Sequence, residues 1–171
     1  ETSTHFLTER FDRVGNTKVH TQTLAAMNPF ANSYEDLFDV ACRIGILPAE
    51  LSQLFLLMTM NVLSGNIDDH NKNFSFMMAT DGVWHITPAY DFTFSVDTSA
   101  PGYINRHCMT INNKNADIER ADLLQIAKRY NIKGAESIIN KAVDIVSNYA
   151  HYAQLANIDE HWTNKIVEEI S

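Results

Sequence analysis

Gly65-Asn66-Ile67-Asp68-Asp69-His70-Asn71-Lys72-Asn73-Phe74 gathers two carboxylates, an imidazole, an ammonium and three side-chain amides into ten residues. On its N-terminal side, Pro48 suits a first helical turn, and Leu51, Leu54, Phe55, Met58 and Val62 recur at three- and four-residue steps up to Gly65. Leu56, Leu57, Met60 and Leu63 add apolar residues on other sides, so this helix is expected to be central and buried most of the way round. On the C-terminal side, Phe74 to Met78 and Val83 to Ile86 flank Asp81-Gly82, the strongest short hairpin signal in the chain. A polar loop held between a buried helix and a hairpin is costly to keep for structure alone.

Further out, Ser33-Tyr34-Glu35-Asp36 has a serine and, three places later, an acid that can satisfy each other's free amides. A helix is predicted from there to about Ile44, stopped at Gly45, with Leu37, Val40, Ala41 and Ile44 inward. Thr4 to Arg13 reads as a strand, and Gly15-Asn16 turns it toward Lys18-Val19-His20. Thr87 to Ile104, with Pro88 and Pro101, reads as loop, and His107 to Ile111 as a short strand. Helical patterns then run over Asp117 to Tyr130, Ala135 to Leu155 and Asp159 to Ile170, in which Tyr149, Tyr152 and Trp162 are expected to pack. This pattern predicts a mainly α chain with a small β component, an α+β fold.

The 171 residues suit one domain or one large lobe, and 45% hydrophobic with 20% charged residues argues against disorder. A net charge of -8 supplies no basic field for nucleic acid phosphates, so direct DNA binding is not expected. Cys42 and Cys108 have no CxxC spacing, which suits a reducing cytoplasm, and both are expected to be buried thiols. Leu51 to Leu63 is too short and too interrupted to span a membrane, and no signal-peptide pattern occurs. The chain opens on Glu1 rather than Met and is expected to start within a longer protein. The histidines show no H-x-x-x-H spacing, which argues against a zinc site.

Phosphoryl transfer from ATP asks little covalent chemistry of a protein: a carboxylate to take the hydroxyl proton, and oxygen ligands that hold magnesium against the phosphates. In the protein-kinase loop H-R-D-x-x-x-x-N the base and the metal-binding amide stand five positions apart. Asp68 and Asn73 have that separation, and Pro88-Ala89-Tyr90-Asp91 brings a second acid eighteen residues after Asn73, beyond the hairpin. Asp91-Phe92 takes the place of the D-F-G pair, although Thr93 replaces the glycine and no H-R precedes Asp68.

Asn66-Ile67-Asp68-Asp69-His70-Asn71-Lys72-Asn73-Phe74-Ser75 followed by Thr87-Pro88-Ala89-Tyr90-Asp91 resembles the signature of HipA-type serine/threonine kinases, a D-x-H-x-K-N loop and then P-x-Y-D. Thr8-Glu9-Arg10-Phe11-Asp12-Arg13 is similar to the family's V-E-R-F-D-R segment, which joins the two lobes. The resemblance covers nearly the whole chain and implies the C-lobe of a protein-kinase-like fold. It implies Asp68 as catalytic base, Lys72 as a charge near the transferring phosphate, and Asn73 and Asp91 as Mg2+ ligands. Glu9 and Phe11 would meet the adenine of ATP, with Asp12 and His70 near the nucleotide. It further implies a cytoplasmic enzyme of a toxin-antitoxin system and of bacterial persistence. Such an enzyme phosphorylates a protein such as an aminoacyl-tRNA synthetase and is restrained by a DNA-binding antitoxin partner.

The family pattern is incomplete, because the six glycines are too sparse for G-x-G-x-x-G and no lysine precedes Lys18. The chain is therefore expected to be a catalytic lobe without the nucleotide-clamping half, weakly active or inactive alone. Taken singly, Asp68 and Asp69 could cap a turn; the spacing favours function for Asp68, whereas Asp69 reads as an orienting or structural residue. His70 divides between a supporting role and a solvated loop histidine. A catalytically silent partner-binding module is the alternative. A metal-dependent phosphohydrolase using Asp68, Asp69, His70 and Asp91 ranks behind both.

Overall fold

In the computed structural model, residues 7–97, 99 and 105–170 are described. The chain begins with a two-residue ribbon, β1 (Arg13–Val14) and β2 (Thr17–Lys18), closed at Gly15. Residues 7–10 are irregular, so of the strand expected over Thr4 to Arg13 only Arg13 is retained, paired together with Val14 beyond it, and its first part lies outside the described residues. A strand needs a partner for its amides, and here only Arg13 and Val14 find one.

β3 (His20–Thr23) leaves that ribbon and pairs antiparallel with β4 (Ser75–Met78), which pairs in turn with β5 (Trp84–Ile86). The Asp81-Gly82 hairpin is as the sequence predicts, but its third strand arrives from more than fifty residues upstream, Thr23 standing opposite Ser75. β3 runs straight into α1 (Leu24–Met27), a single turn capped by the Thr23 hydroxyl that the sequence reading did not anticipate. Leu24 N–H then donates to Phe74 O and Ala25 N–H to Asn71 O, fastening this turn to the far side of the polar loop.

α2 (Tyr34–Arg43) starts with the expected reciprocal cap: Asp36 N–H donates to Ser33 Oγ, and Ser33 N–H to Asp36 Oδ2. Leu37, Val40 and Ala41 are buried and Ile44 half-buried. α3 (Pro48–Leu63) follows, with Leu51, Leu54, Phe55 and Met58 in the core. Leu56, Leu57 and Met60 are only half-buried, so the expected all-round burial is reduced to one broad face. Burying four such side chains contributes roughly 1.5–3 kcal/mol each, enough to explain why this helix organises the layer around it.

The C-terminal part comprises α4 (Arg120–Arg129), α5 (Ala135–Ser147), α6 (Tyr149–Leu155) and α7 (Glu160–Ile170). α5 packs on α3 through Ala135, Ile139, Ala142 and Val146. Several expectations change here. α4 begins at Arg120, not Asp117, because Asp117 is in the left-handed region at φ 51. The single helix predicted from Ala135 to Leu155 breaks at Asn148, whose side-chain amide turns back to Asp144 O. His107 to Ile111 forms isolated bridges, Ser33 with Thr110 and Ile111 with Lys114, in place of a strand. Tyr152 and Trp162, expected to pack, are about half exposed: α6 buries only Ala153, and α7 contributes no buried residue. Cys42 and Cys108 are both exposed rather than buried. Cys42 lies on the solvent side of α2, and the Cys108 backbone, not its thiol, is engaged inward. No helix among the described residues is long and apolar enough to cross a membrane.

Candidate active site

The polar loop is held from beneath by one of its own acids. Asp69 is buried with a fully enclosed side chain, and its two oxygens receive four donors. Tyr34 Oη–H donates to Oδ2 at 2.7 Å and His107 Nδ1 approaches the same oxygen at 2.9 Å. The amides of Cys108 and Met109 donate to Oδ1 at 2.8 and 3.2 Å. An ionised carboxylate only accepts, so His107 carries its proton on Nδ1. The Tyr34 oxygen also accepts from Asn61 Nδ2 at 2.9 Å, and Asn61 Oδ1 accepts from Asn66 Nδ2 at 2.9 Å. A continuous buried chain thus links the start of α2, the last turn of α3, the loop and residues 107–109. Burial and the Asp69 charge hold the Tyr34 phenol far above its ordinary range, so it stays a donor.

Asp68 faces the other way, with its side chain 59% exposed. Among the described residues, the polar partners of Asp68 Oδ1 are His70 Nε2 and Cys108 Sγ, each at 3.8 Å. The loop closes on itself where Asn73 Nδ2 donates to Asp68 O at 2.9 Å and Asn73 N–H to His70 O at 2.9 Å. Because Asn73 spends its Nδ2 on that bond, its Oδ1 is left as an acceptor. Burial, then Asp69 and Asp68, push the Cys108 thiol upward, so it is a weak nucleophile.

The segment carrying Asp91 is tied to this loop through Tyr90. Tyr90 Oη–H donates to Lys72 O at 2.7 Å and its oxygen meets Ser75 Oγ at 2.5 Å. The residue before Asp91 is therefore fixed to residues on both sides of Asn73. Burial raises the Tyr90 phenol, and the Asp91 charge adds to the shift, so that carboxylate lies within electrostatic reach of the hydroxyl. Asp91 is exposed, sits in the left-handed region at φ 54, and makes no hydrogen bond or ion pair with the described residues. An acid held in a sparsely populated conformation with free oxygens is available to a ligand. A cavity of about 390 Å3 opens beside it, lined by Asn73, Ser75, Pro88 and Phe92 and by Leu57 and Met60 of α3.

Of the residues singled out from sequence, Asp68, His70 and Asn73 share one loop turn, and Tyr90 brings Asp91 to it. Phe11 joins from the opposite side, its ring centroid 5.7 Å from that of Tyr90. Lys72 is exposed and makes no ion pair among the described residues, while its carbonyl serves as the Tyr90 anchor. Glu9 is exposed on the irregular opening segment. The Asp12 carboxylate is taken by Arg10 and Arg13, which, with the Arg10 hydrogen bond foremost, hold it down at about 2. Asp69, enclosed by four donors, has no lone pair facing solvent, which removes one of the four residues of the phosphohydrolase alternative. The sequence reading missed Tyr34, Asn61, Ser95 and His107. Only Tyr34 carried a signal, as an aromatic inside a capping box.

Magnesium takes one or two carboxylates plus phosphate oxygens and waters rather than a full protein cage. The free Asp91 carboxylate and Asn73 Oδ1 are oxygen donors of that type, so the residues present fit the ion.

Comparison with known proteins agrees with this architecture. A chain in the solved complex of the Shewanella oneidensis MR-1 toxin-antitoxin system HipA, HipB and its operator DNA superposes with a TM-score of 0.62 at 17% identity, over 95% of this chain and 47% of that one. The chain thus spans about half the length of the solved protein it matches, and the likeness shows a common α+β, kinase-lobe type of fold. No curated protein matches. The family model for the HipA-like C-terminal domain matches residues 1–162, with the polar loop, the Tyr90-Asp91 element and the opening segment all inside it. The chain belongs to the HipA-like C-terminal domain family.

Proposed function

We propose that the chain is the catalytic lobe of an ATP-dependent serine/threonine protein kinase of the toxin-antitoxin type, whose nucleotide-clamping half lies elsewhere in its parent protein. The observation that carries this reading is the Tyr90 clamp, which ties the residue before Asp91 to Lys72 and Ser75 around Asn73. Asp68, exposed and without a short polar partner for its carboxylate among the described residues, is suited to accept the proton of an incoming serine or threonine hydroxyl. Asn73 Oδ1 and the Asp91 carboxylate would hold Mg2+, which, when bound, neutralises charge on the phosphates. Lys72, exposed beside the same loop, would meet the transferring phosphate as a point charge. His70 and Asp12 lie toward the nucleotide in this reading, and the backbone at Glu9 and Phe11 toward adenine.

The reading extends to a cytoplasmic protein substrate such as an aminoacyl-tRNA synthetase. It also extends to a DNA-binding antitoxin as partner, since the matched solved complex contains HipB and operator DNA. The net charge of -8 makes a partner, not this lobe, the DNA-contacting element. The test is phosphate incorporation into protein by the complete parent protein with magnesium and radiolabelled ATP. Asp68→Ala is expected to lower it by about a hundredfold or more, the usual contribution of a general base. Equal incorporation with that variant refutes the assignment of the base.

A further inference from the structure

Four residues past Asp91 the chain passes close over the start of the loop. Ser95 N–H donates to Gly65 O at 3.0 Å. The Ser95 hydroxyl then receives two consecutive amides, Ile67 N–H at 2.9 Å and Asp68 N–H at 3.1 Å, and is 3.4 Å from Gly65 O as its own acceptor. Its two lone pairs and one proton are all used. The approach depends on Gly65, at φ +69: a Cβ there would sit 3.1 Å from both Phe94 Cε2 and Val96 Cγ2.

Among the described residues the Asp68 carboxylate has no hydrogen-bond or ion-pair partner nearer than 3.8 Å to aim it. Its direction is set by its backbone, and on the amide side that backbone is held by Ser95.

We infer that Ser95 is a positioning residue for Asp68, a latch that makes the segment after Asp91 and the loop carrying the base one mechanical unit. The inference rests on the kinase reading for its consequence, but not for the latch itself. Without the hydroxyl, the Ile67 and Asp68 amides turn to water, the peptide between them keeps only the Cys108 N–H to Ile67 O bond at 3.0 Å, and the carboxylate loses part of its alignment. Misplacement of a reacting group by about 1 Å costs up to about a hundredfold in rate, while nucleotide affinity, set elsewhere, is unaffected.

The experiment compares the wild type, Ser95→Ala and Ser95→Thr in the complete parent protein by residue-resolved amide hydrogen exchange and by steady-state phosphate transfer. With Ser95→Ala, exchange at Ile67 and Asp68 is expected to rise by about threefold to tenfold, the worth of one lost hydrogen bond, while the Leu37 amide in α2 stays unchanged. The kcat is expected to fall by about tenfold with KM for ATP unaltered, and Ser95→Thr, which keeps the hydroxyl, restores both readouts. Unchanged exchange at the two amides, a uniform rise across the protein, or faster exchange with wild-type kcat each overturns the inference. A wild-type protein that transfers no phosphate sinks the kinase reading alone, and the exchange result then decides whether Ser95 holds the loop.

Discussion

Replacing Asp69 tests the foundation on which the loop rests. In Asp69→Ala the Tyr34 hydroxyl, His107 Nδ1 and the amides of Cys108 and Met109 lose their common acceptor together. Each buried donor left unpaired costs about 1–3 kcal/mol. The new space admits water to some of them, so the full sum is not reached, and a net cost of about 3–5 kcal/mol is expected. That is a large share of the roughly 5–15 kcal/mol that keeps a domain folded. At about 2–4 °C per kcal/mol for a chain of this size, the melting temperature is expected to fall by about 10 °C or more.

Asp69→Asn separates shape from charge. Its oxygen can keep the Cys108 and Met109 amides, but its NH2 group points donors at Tyr34 and His107. The imidazole can answer by changing tautomer; the Tyr34 oxygen already accepts from Asn61. A cost of about 1–3 kcal/mol is expected, one buried mispairing. Thermal unfolding by near-UV circular dichroism reads both variants. A melting temperature for Asp69→Ala within about 2 °C of wild type, or equal losses in the two variants, refutes the four-donor account.

Tyr90→Phe removes the bonds to Lys72 O and Ser75 Oγ but keeps the ring against Phe11, so phosphate transfer is expected to drop about tenfold with little change in melting temperature. Cys108, pushed upward by burial and then by Asp69 and Asp68, is expected to react slowly with iodoacetamide near pH 7; Asp68→Asn lowers its pKa and speeds alkylation severalfold, and an unchanged rate contradicts the electrostatic coupling. Asp122 is held below the usual carboxylate range first by the Lys114 ammonium, 2.8 Å away, while it caps α4 at the Glu119 amide. Its lowered pKa gives stability that is present above the unfolded value and lost as pH falls through the folded one. Asp122→Ala is therefore expected to cost about 1 kcal/mol from the cap at pH 7, and the difference from wild type should shrink below about pH 4; a gap constant down to strongly acid pH rules this out.

Local signals in the sequence carried much of the architecture. The Ser33-Asp36 cap, the glycine stop at Gly45, the proline start at Pro48 and the Asp81-Gly82 turn each act within a few residues, and each appears where it was expected. The loop's composition and the spacing of Asp68, Asn73 and Asp91 likewise needed only the linear chain to be noticed. What failed was periodicity extended too far. An apolar face continues across Asn148 and across Asp117, but a side-chain bond to Asp144 O and a left-handed φ of 51 end the helices there.

Tertiary structure alone decided how those residues are held. The pairing of β3 with β4, the Tyr34 to Asp69 bond across thirty-five positions and the His107 to Asp69 bond across thirty-eight join segments whose closeness is set by packing around α3. A hydrogen bond reads direction and distance at about 3 Å, and no residue type announces which distant donor will reach it. Spacing alone distinguished the adjacent, chemically identical Asp68 and Asp69, but only the fold shows how each is held: Asp69 is enclosed as the loop's anchor, and Asp68 is turned outward and left open.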